Sequence, residues 1–138
     1  MARAGRISVT VDYKEVEQRL NASVRRVQRG TRKATVAACE EIKEISLSQV
    51  PRDSNTLAES FYYDIKGSYR NFEAEIGYGR GGGVNPRTGK TASEYMVAVH
   101  EDLSAEHPVG KAKFLEDAVK EYQRNMLARW AMEVRKEL

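Results

Sequence analysis

Gly89-Lys90-Thr91 closes a glycine-rich stretch and has the ending of a phosphate-binding loop. In that motif another glycine stands five positions earlier, so that backbone amides can wrap the phosphates. Position 84 is Val, and Gly83 is one residue out of register. The motif also belongs to folds with several parallel strands separated by helices, for which this chain has no room. A loop without nucleotide chemistry is the better reading. His100 and His107 are the only histidines, and Cys39 is the only cysteine. The six-residue gap between the histidines, with one distant cysteine, fits no usual zinc framework. Glu101, Asp102 and Glu106 could add oxygen ligands, but acidic residues in a loop are commonplace. Ser60, Ser93 or Ser104 with His100 would need a positioned third group, and no Gly-x-Ser-x-Gly elbow is present. We therefore expect no catalytic residue, no metal site and no cofactor, and do not expect an enzyme.

The remaining chemistry is positive charge. Net charge is only +3, but it is unevenly spread. Residues 1–36 hold nine basic side chains against three acidic ones, a net of +6, leaving −3 for the rest. Arg25, Arg26, Arg29, Arg32 and Lys33 could follow a phosphate backbone. No aromatic side chains interleave with them, and no helix-turn-helix or zinc-finger spacing accompanies them. A solvated or partner-facing helix surface is the better expectation, with a small basic nucleic-acid-binding module as the alternative. At 138 residues the chain is read as a single domain, 1–138, able to build a small core. No run of about 18 apolar residues offers a membrane span. The first residues lack the apolar centre of a signal peptide. Synthesis in the cytoplasm follows as an expectation, with Cys39 a small buried side chain.

The elements that must position these residues can be read from periodicity. Arg6-Ile7-Ser8-Val9-Thr10-Val11 alternates polar and apolar side chains, which predicts a strand over 6–11. Asp12-Tyr13-Lys14-Glu15 has the form of a capping box. From there Val16, Leu20, Val24, Val27, Thr31, Ala34, Ala38, Ile42 and Ile45 recur at three- and four-residue steps. That spacing predicts one helix over 12–50, stopped by Pro51. Such a helix would be about 55 Å long, whereas a compact globule of this size is roughly 37 Å across. It must either break at Gly30 or project toward another subunit. Two β-prone runs predict an antiparallel hairpin over 61–77. Residues 79–93, with several glycines and Pro86, form a flexible loop in this reading. Its Arg80, Arg87 and Lys90 suggest a segment disordered alone and ordered against a partner. Residues 95–99 suit either a strand or a short helix. Residues 111–138 carry Leu115, Val119, Tyr122, Met126, Trp130 and Val134 on one face, which predicts a terminal amphipathic helix. The fold class is α+β, with a long amino-terminal helix and a carboxy-terminal amphipathic helix packed on a small, mainly antiparallel sheet.

Four segments stand in a fixed order: the turn from Pro51 to Ser60, Ile76-Gly77, Tyr95 to Glu101, and Phe114-Leu115-Glu116-Asp117-Ala118. At these segments the chain resembles the tail-completion (head–tail connector, neck) proteins of long-tailed double-stranded-DNA phages. That family shows a long amino-terminal helix and then a Pro-x-Asp-Thr-Gly-x-Leu-x-x-Ser turn. Here Pro51, Asp53, Leu57 and Ser60 fall in place, Ser54 stands for Thr and Asn55 for Gly. Both departures keep the physics if Asn55 adopts the left-handed conformation of that glycine and Asp53 and Ser54 satisfy free amides of the turn. Gly77, Tyr95, Val99, His100, Glu101, Phe114, Leu115 and Ala118 match the later segments. The resemblance spans about residues 14–120. It implies a virion structural protein that forms a ring, sixfold by the family pattern. Such a ring lies at the neck, between portal or head-completion proteins and the tail terminator or tail tube. DNA contact would at most be passive, and no membrane would be involved.

Overall fold

The computed structural model describes residues 5–68, 71–105, 107 and 110–138. The architecture is α+β and mostly helical: α1 (Lys14–Gln49), α2 (Thr56–Glu59), β1 (Tyr62–Ser68), β2 (Asn71–Gly77), α3 (Ala92–Glu101), α4 (Phe114–Gln123) and α5 (Met126–Arg135).

α1 runs unbroken for 36 residues, about 54 Å at the usual rise. The Asp12 carboxylate accepts the Lys14 amide at 2.9 Å, while Glu15 turns to Arg19 at 2.6 Å instead of closing a capping box. At the far end the Val50 amide bonds to the Ser46 carbonyl, and extended geometry at Val50 leads into Pro51. Gly30 does not break the helix. A Cβ there would lie 2.9 Å from the Val134 Cα, so glycine is what lets α5 approach the α1 backbone closely. Of the two alternatives for an overlong helix, projection is the one observed: residues 14–27 are exposed apart from a half-buried Ala22.

All of the core lies against the second half of α1 or beyond its end. One cluster gathers Val50, Leu57, Ala58, Tyr78, Ala92 and Phe114. The other joins Ala38 and Ile42 of α1 to Ala118 and Tyr122 of α4. Leu115 packs against both. β1 and β2 form a two-stranded antiparallel sheet from Tyr62↔Gly77 to Ser68↔Asn71, as the hairpin reading expects. Residues 95–99 resolve to helix, inside α3.

Two expected elements differ. Residues 6–11 form no strand; they precede α1 without regular structure and are exposed, with Ile7 at 93% and Val9 at 83% of full accessibility. Alternation gives a segment two faces, but a strand also needs an edge to pair with, and among the described residues none pairs with this segment. The terminal helix over 111–138 is two helices. The Arg124 and Asn125 amides close α4 with bonds three residues back, and the Asn125 carbonyl restarts α5 by accepting the Arg129 amide at 3.1 Å. The redirection carries α5 back along α1, so that Val134 reaches Gly30.

Candidate functional site

The turn after α1 is held by Ser60, which is fully buried. Its hydroxyl donates to the Leu57 carbonyl at 2.6 Å and accepts the Gly79 amide at 3.1 Å, and its carbonyl accepts the amides of Gly79 and Arg80. Ser60 thus clips the start of the following loop onto α2. Gly82 lies against the same turn with a left-handed φ of +80°, and a Cβ there would meet the Thr56 carbonyl oxygen at 2.3 Å. Pro51 and Leu57 are buried, Leu57 within the core.

Two expectations for this turn need correction. Asn55 has φ −75° and ψ −3°, right-handed geometry that any residue adopts, because it leads directly into α2. Its carbonyl accepts the Glu59 amide at 2.8 Å, which a left-handed residue would not present in that direction. Nor do the Asp53 and Ser54 side chains take up backbone amides among the described residues. Asp53 forms an ion pair with Arg87, and the Ser54 hydroxyl bonds to Thr56 Oγ1 at 3.0 Å. Asp53 therefore ties the turn to the loop across 34 positions of sequence.

That loop carries more internal bonding than its glycines suggest. Val84 bridges Thr91, the Asn85 amide bonds to the Lys90 carbonyl, and the Asn85 carbonyl accepts the Gly89 amide, each amide bond at 2.8 Å. Asn85 is buried and its side-chain oxygen accepts the Arg87 amide at 2.9 Å. Asn85-Pro86 is a turn-initiating dipeptide, the signal by which Asn85 could have been singled out. Thr91 and Glu94 then form a capping box for α3. The Glu94 carboxylate accepts the Thr91 amide at 2.6 Å, which lowers its pKa below the ordinary carboxylate value. The Thr-x-x-Glu spacing could have located it.

Turn, loop and α3 together frame a cleft of about 520 Å³, with Leu57, Tyr95 and Val99 as apolar wall and Arg87 and Lys90 among its basic lining residues. The structure therefore gathers Pro51, Asp53, Ser54 and Leu57 with Arg87 and Lys90. Arg80 lies apart, paired with Asp64 and stacked 3.8 Å over the Tyr62 ring. Arg25, Arg26, Arg29, Arg32 and Lys33 lie apart again, on exposed positions of α1. Arg29, at 3.6 Å, and Lys33 both pair with Glu137 near the end of the chain, which lowers the Glu137 pKa, chiefly through the Lys33 hydrogen bond.

His100 acts as a joint. Its Nε2 accepts the Glu116 amide at 3.3 Å, its Nδ1 lies 2.7 Å from the Glu101 carboxylate, and its ring meets Phe114 edge-on at 5.0 Å. With Nε2 accepting, the proton sits on Nδ1 and is donated to Glu101. Lys113, at φ 59°, pairs with Glu101 and, at 3.1 Å, with Glu116, fixing the start of α4. Among the described residues neither Ser60, Ser93 nor Ser104 is hydrogen-bonded to His100; Ser93 bonds to Thr91 and Ser104 to Asp102. The described residues contain no group of three or more His, Cys, Asp or Glu arranged to hold a metal ion, and no described helix is long and apolar enough to cross a membrane. In the core, Tyr78 shares a buried 2.7 Å hydrogen bond with Ser46, and burial pushes its hydroxyl pKa up to about 12.

The arrangement is suited to holding elements in place and to presenting surface. Comparison with protein-family models, with curated proteins and with solved structures finds no match to this chain.

Proposed function

We propose that this chain is a structural subunit of the neck of a long-tailed double-stranded-DNA phage, a tail-completion protein. In this reading it forms a ring, sixfold by the family pattern, between portal-side head-completion proteins and the tail terminator or tube. The observation that carries the proposal is the projecting half of α1. Val16, Leu20, Val24 and Val27 make an apolar stripe that the fold leaves uncovered, with Leu20 at 62% exposure, beside exposed Arg25 and Arg26. A monomer gains nothing from such a stripe, whereas a subunit buries it on assembly. The order of the turn, strand-end, α3 and α4 segments supports the particular family. Its weakest residue-level support is Asn55, whose right-handed geometry removes the stated reason for equating it with the family's glycine.

The exposed arginines of α1 favour the alternative, a small basic nucleic-acid-binding module. One set of measurements separates the two. A neck subunit forms rings at high concentration or with head- and tail-side partners, and its DNA affinity is slight. A phosphate binder loses DNA affinity steeply between 50 and 200 mM salt. A strict monomer that binds neither partner nor DNA would remove both readings.

A further inference from the structure

Three observations concern strand pairing and have no outlet within one copy of the chain. Residues 6–11 alternate with Ile7, Val9 and Val11 on one face and Arg6, Ser8 and Thr10 on the other, yet they are exposed and unpaired. The sheet has two strands, so among the described residues β1 and β2 each keep one edge unpaired. β2 has neither proline nor lysine, and its ladder runs through seven pairs without a bulge, so of the usual devices that block an edge it carries only the charges of Glu73 and Glu75.

Residues 6–11 cannot lie along the sheet of their own copy. The Tyr63 hydroxyl meets Glu40 at 2.6 Å, which anchors the hairpin on α1 some 40 Å from the helix start at 1.5 Å per residue. A strand running from Tyr63 to Ser68 toward that start covers roughly 17 Å. That leaves about 22 Å between the sheet and the helix start. With only Asp12 and Tyr13 between Val11 and α1, the link spans about 10 Å of it, too little for the arm to run its length beside β2.

We propose that the amino-terminal arm of one copy adds as a third strand to the free edge of β2 on a second copy. The two faces match. On the sheet face that carries Ile65 and Ile76, Ala74 is exposed at the β2 edge and offers an apolar ledge to Ile7, Val9 and Val11. The opposite face is acidic at that edge. Glu73 and Glu75 stand there: Glu75 is engaged by Lys66 and Arg80, each at 3.8 Å, whereas Glu73 makes no ion pair among the described residues. Those carboxylates oppose pairing of β2 with another β2, and they suit the arm's Arg6. Backbone bonds then supply affinity while face matching supplies register, as in strand addition generally. The proposal rests on the reading of this chain as an assembling subunit and names the contact by which it assembles.

Cross-linking between separately made chains tests it, in a Cys39→Ala background. Chains carrying Ile7→Cys, Val9→Cys or Val11→Cys are each mixed with an Ala74→Cys chain under mild oxidation. The three arm positions sample the registers that keep the apolar face inward. The expected result is a mixed disulfide dimer from at least one pairing, lost when Ser8→Pro is added to the arm. Light scattering of a chain lacking residues 1–11 should also show a smaller assembly than the full chain. The described residues of the arm, 5–11, are exposed in their own copy, so these changes should leave the helical circular dichroism unaltered. Absence of a cross-link from all three pairings, or undiminished assembly of the shortened chain, overturns the proposal. If strand exchange is found but the assembly binds no head- or tail-side phage protein, the neck reading fails and the arm contact stands. If the shortened chain still forms neck rings, the reverse holds.

Discussion

From Gly30 onward α1 is covered by other elements: α5 lies on Gly30 through Val134, α4 on Ala38 and Ile42, and the hairpin on Glu40 through Tyr63. Between Lys14 and Val27 the same helix continues with the same three- and four-residue apolar steps, and its large apolar side chains stay in solvent. Sequence pattern does not distinguish the halves; tertiary coverage does. An apolar stripe therefore specifies which face of a helix is to be buried but leaves open which molecule buries it. The covered half reports on folding and the projecting half on association, and substitutions can force the two apart.

The largest expected effect lies beyond the covered end. Phe114 is buried between Tyr78 and His100, with ring centres 5.1 and 5.0 Å away. Phe114→Ala removes a ring that joins α4 to the turn and α3, and should cost about 3–5 kcal/mol in chemical denaturation. A loss below about 1 kcal/mol would mean that the core near Val50 is looser than its burial indicates.

Next comes Gly30→Leu. The new side chain meets the Val134 backbone, and overpacking of this kind costs about 1–3 kcal/mol. Ser23→Leu, on the exposed half, is the control and should change stability by less than about 0.5 kcal/mol. Equal thermal melts for the two variants would contradict the contrast between the halves.

What the sequence made legible follows the same division. α1 and the hairpin are local patterns, and the structure forms both; Pro51, Leu57 and Ser60 are buried around the turn that follows α1. Gly30 looked ambiguous because propensity registers only a weak helix former, while its packing partner is 104 positions away in sequence. The Arg124–Asn125 break was hidden because the apolar stripe resumes beyond it at Trp130 and Val134. Local sequence offers Asp53 only as a cap, because only the folded loop brings Arg87 to it. The arm's alternation was legible, but its pairing depends on an edge that its own chain does not bring within reach.

A smaller effect is expected from pH. Glu116 has its pKa lowered to about 2 by hydrogen bonds from Lys120 and Lys113. A folded-state pKa below the unfolded one stabilises at pH above about 4.5, and that contribution disappears as pH falls toward 2. Glu116→Gln should flatten the decline in melting temperature across that window. The group is exposed, so added salt should flatten the wild-type decline as well. An unchanged acid slope in the variant would show that other carboxylates set it.

The smallest expected effect is the most telling one, Leu20→Ala. Leu20 is 62% exposed in the middle of the projecting stripe, and Ala is the better helix former by a few tenths of a kcal/mol. In dilute protein the substitution should leave stability unchanged or slightly raised. If the projecting half serves association, the penalty should emerge only as concentration rises, because a side chain buried between copies contributes in proportion to the population assembled. Melting temperature measured over a wide concentration range therefore separates the cases. Curves for wild type and Leu20→Ala that coincide when dilute and diverge when concentrated assign the stripe to a second copy. Curves that coincide throughout would leave the stripe solvated in the chain alone and assign its cover to a different protein. A loss above about 1 kcal/mol even at high dilution would contradict the contrast between the two halves, because it would mean that Leu20 is packed within its own fold.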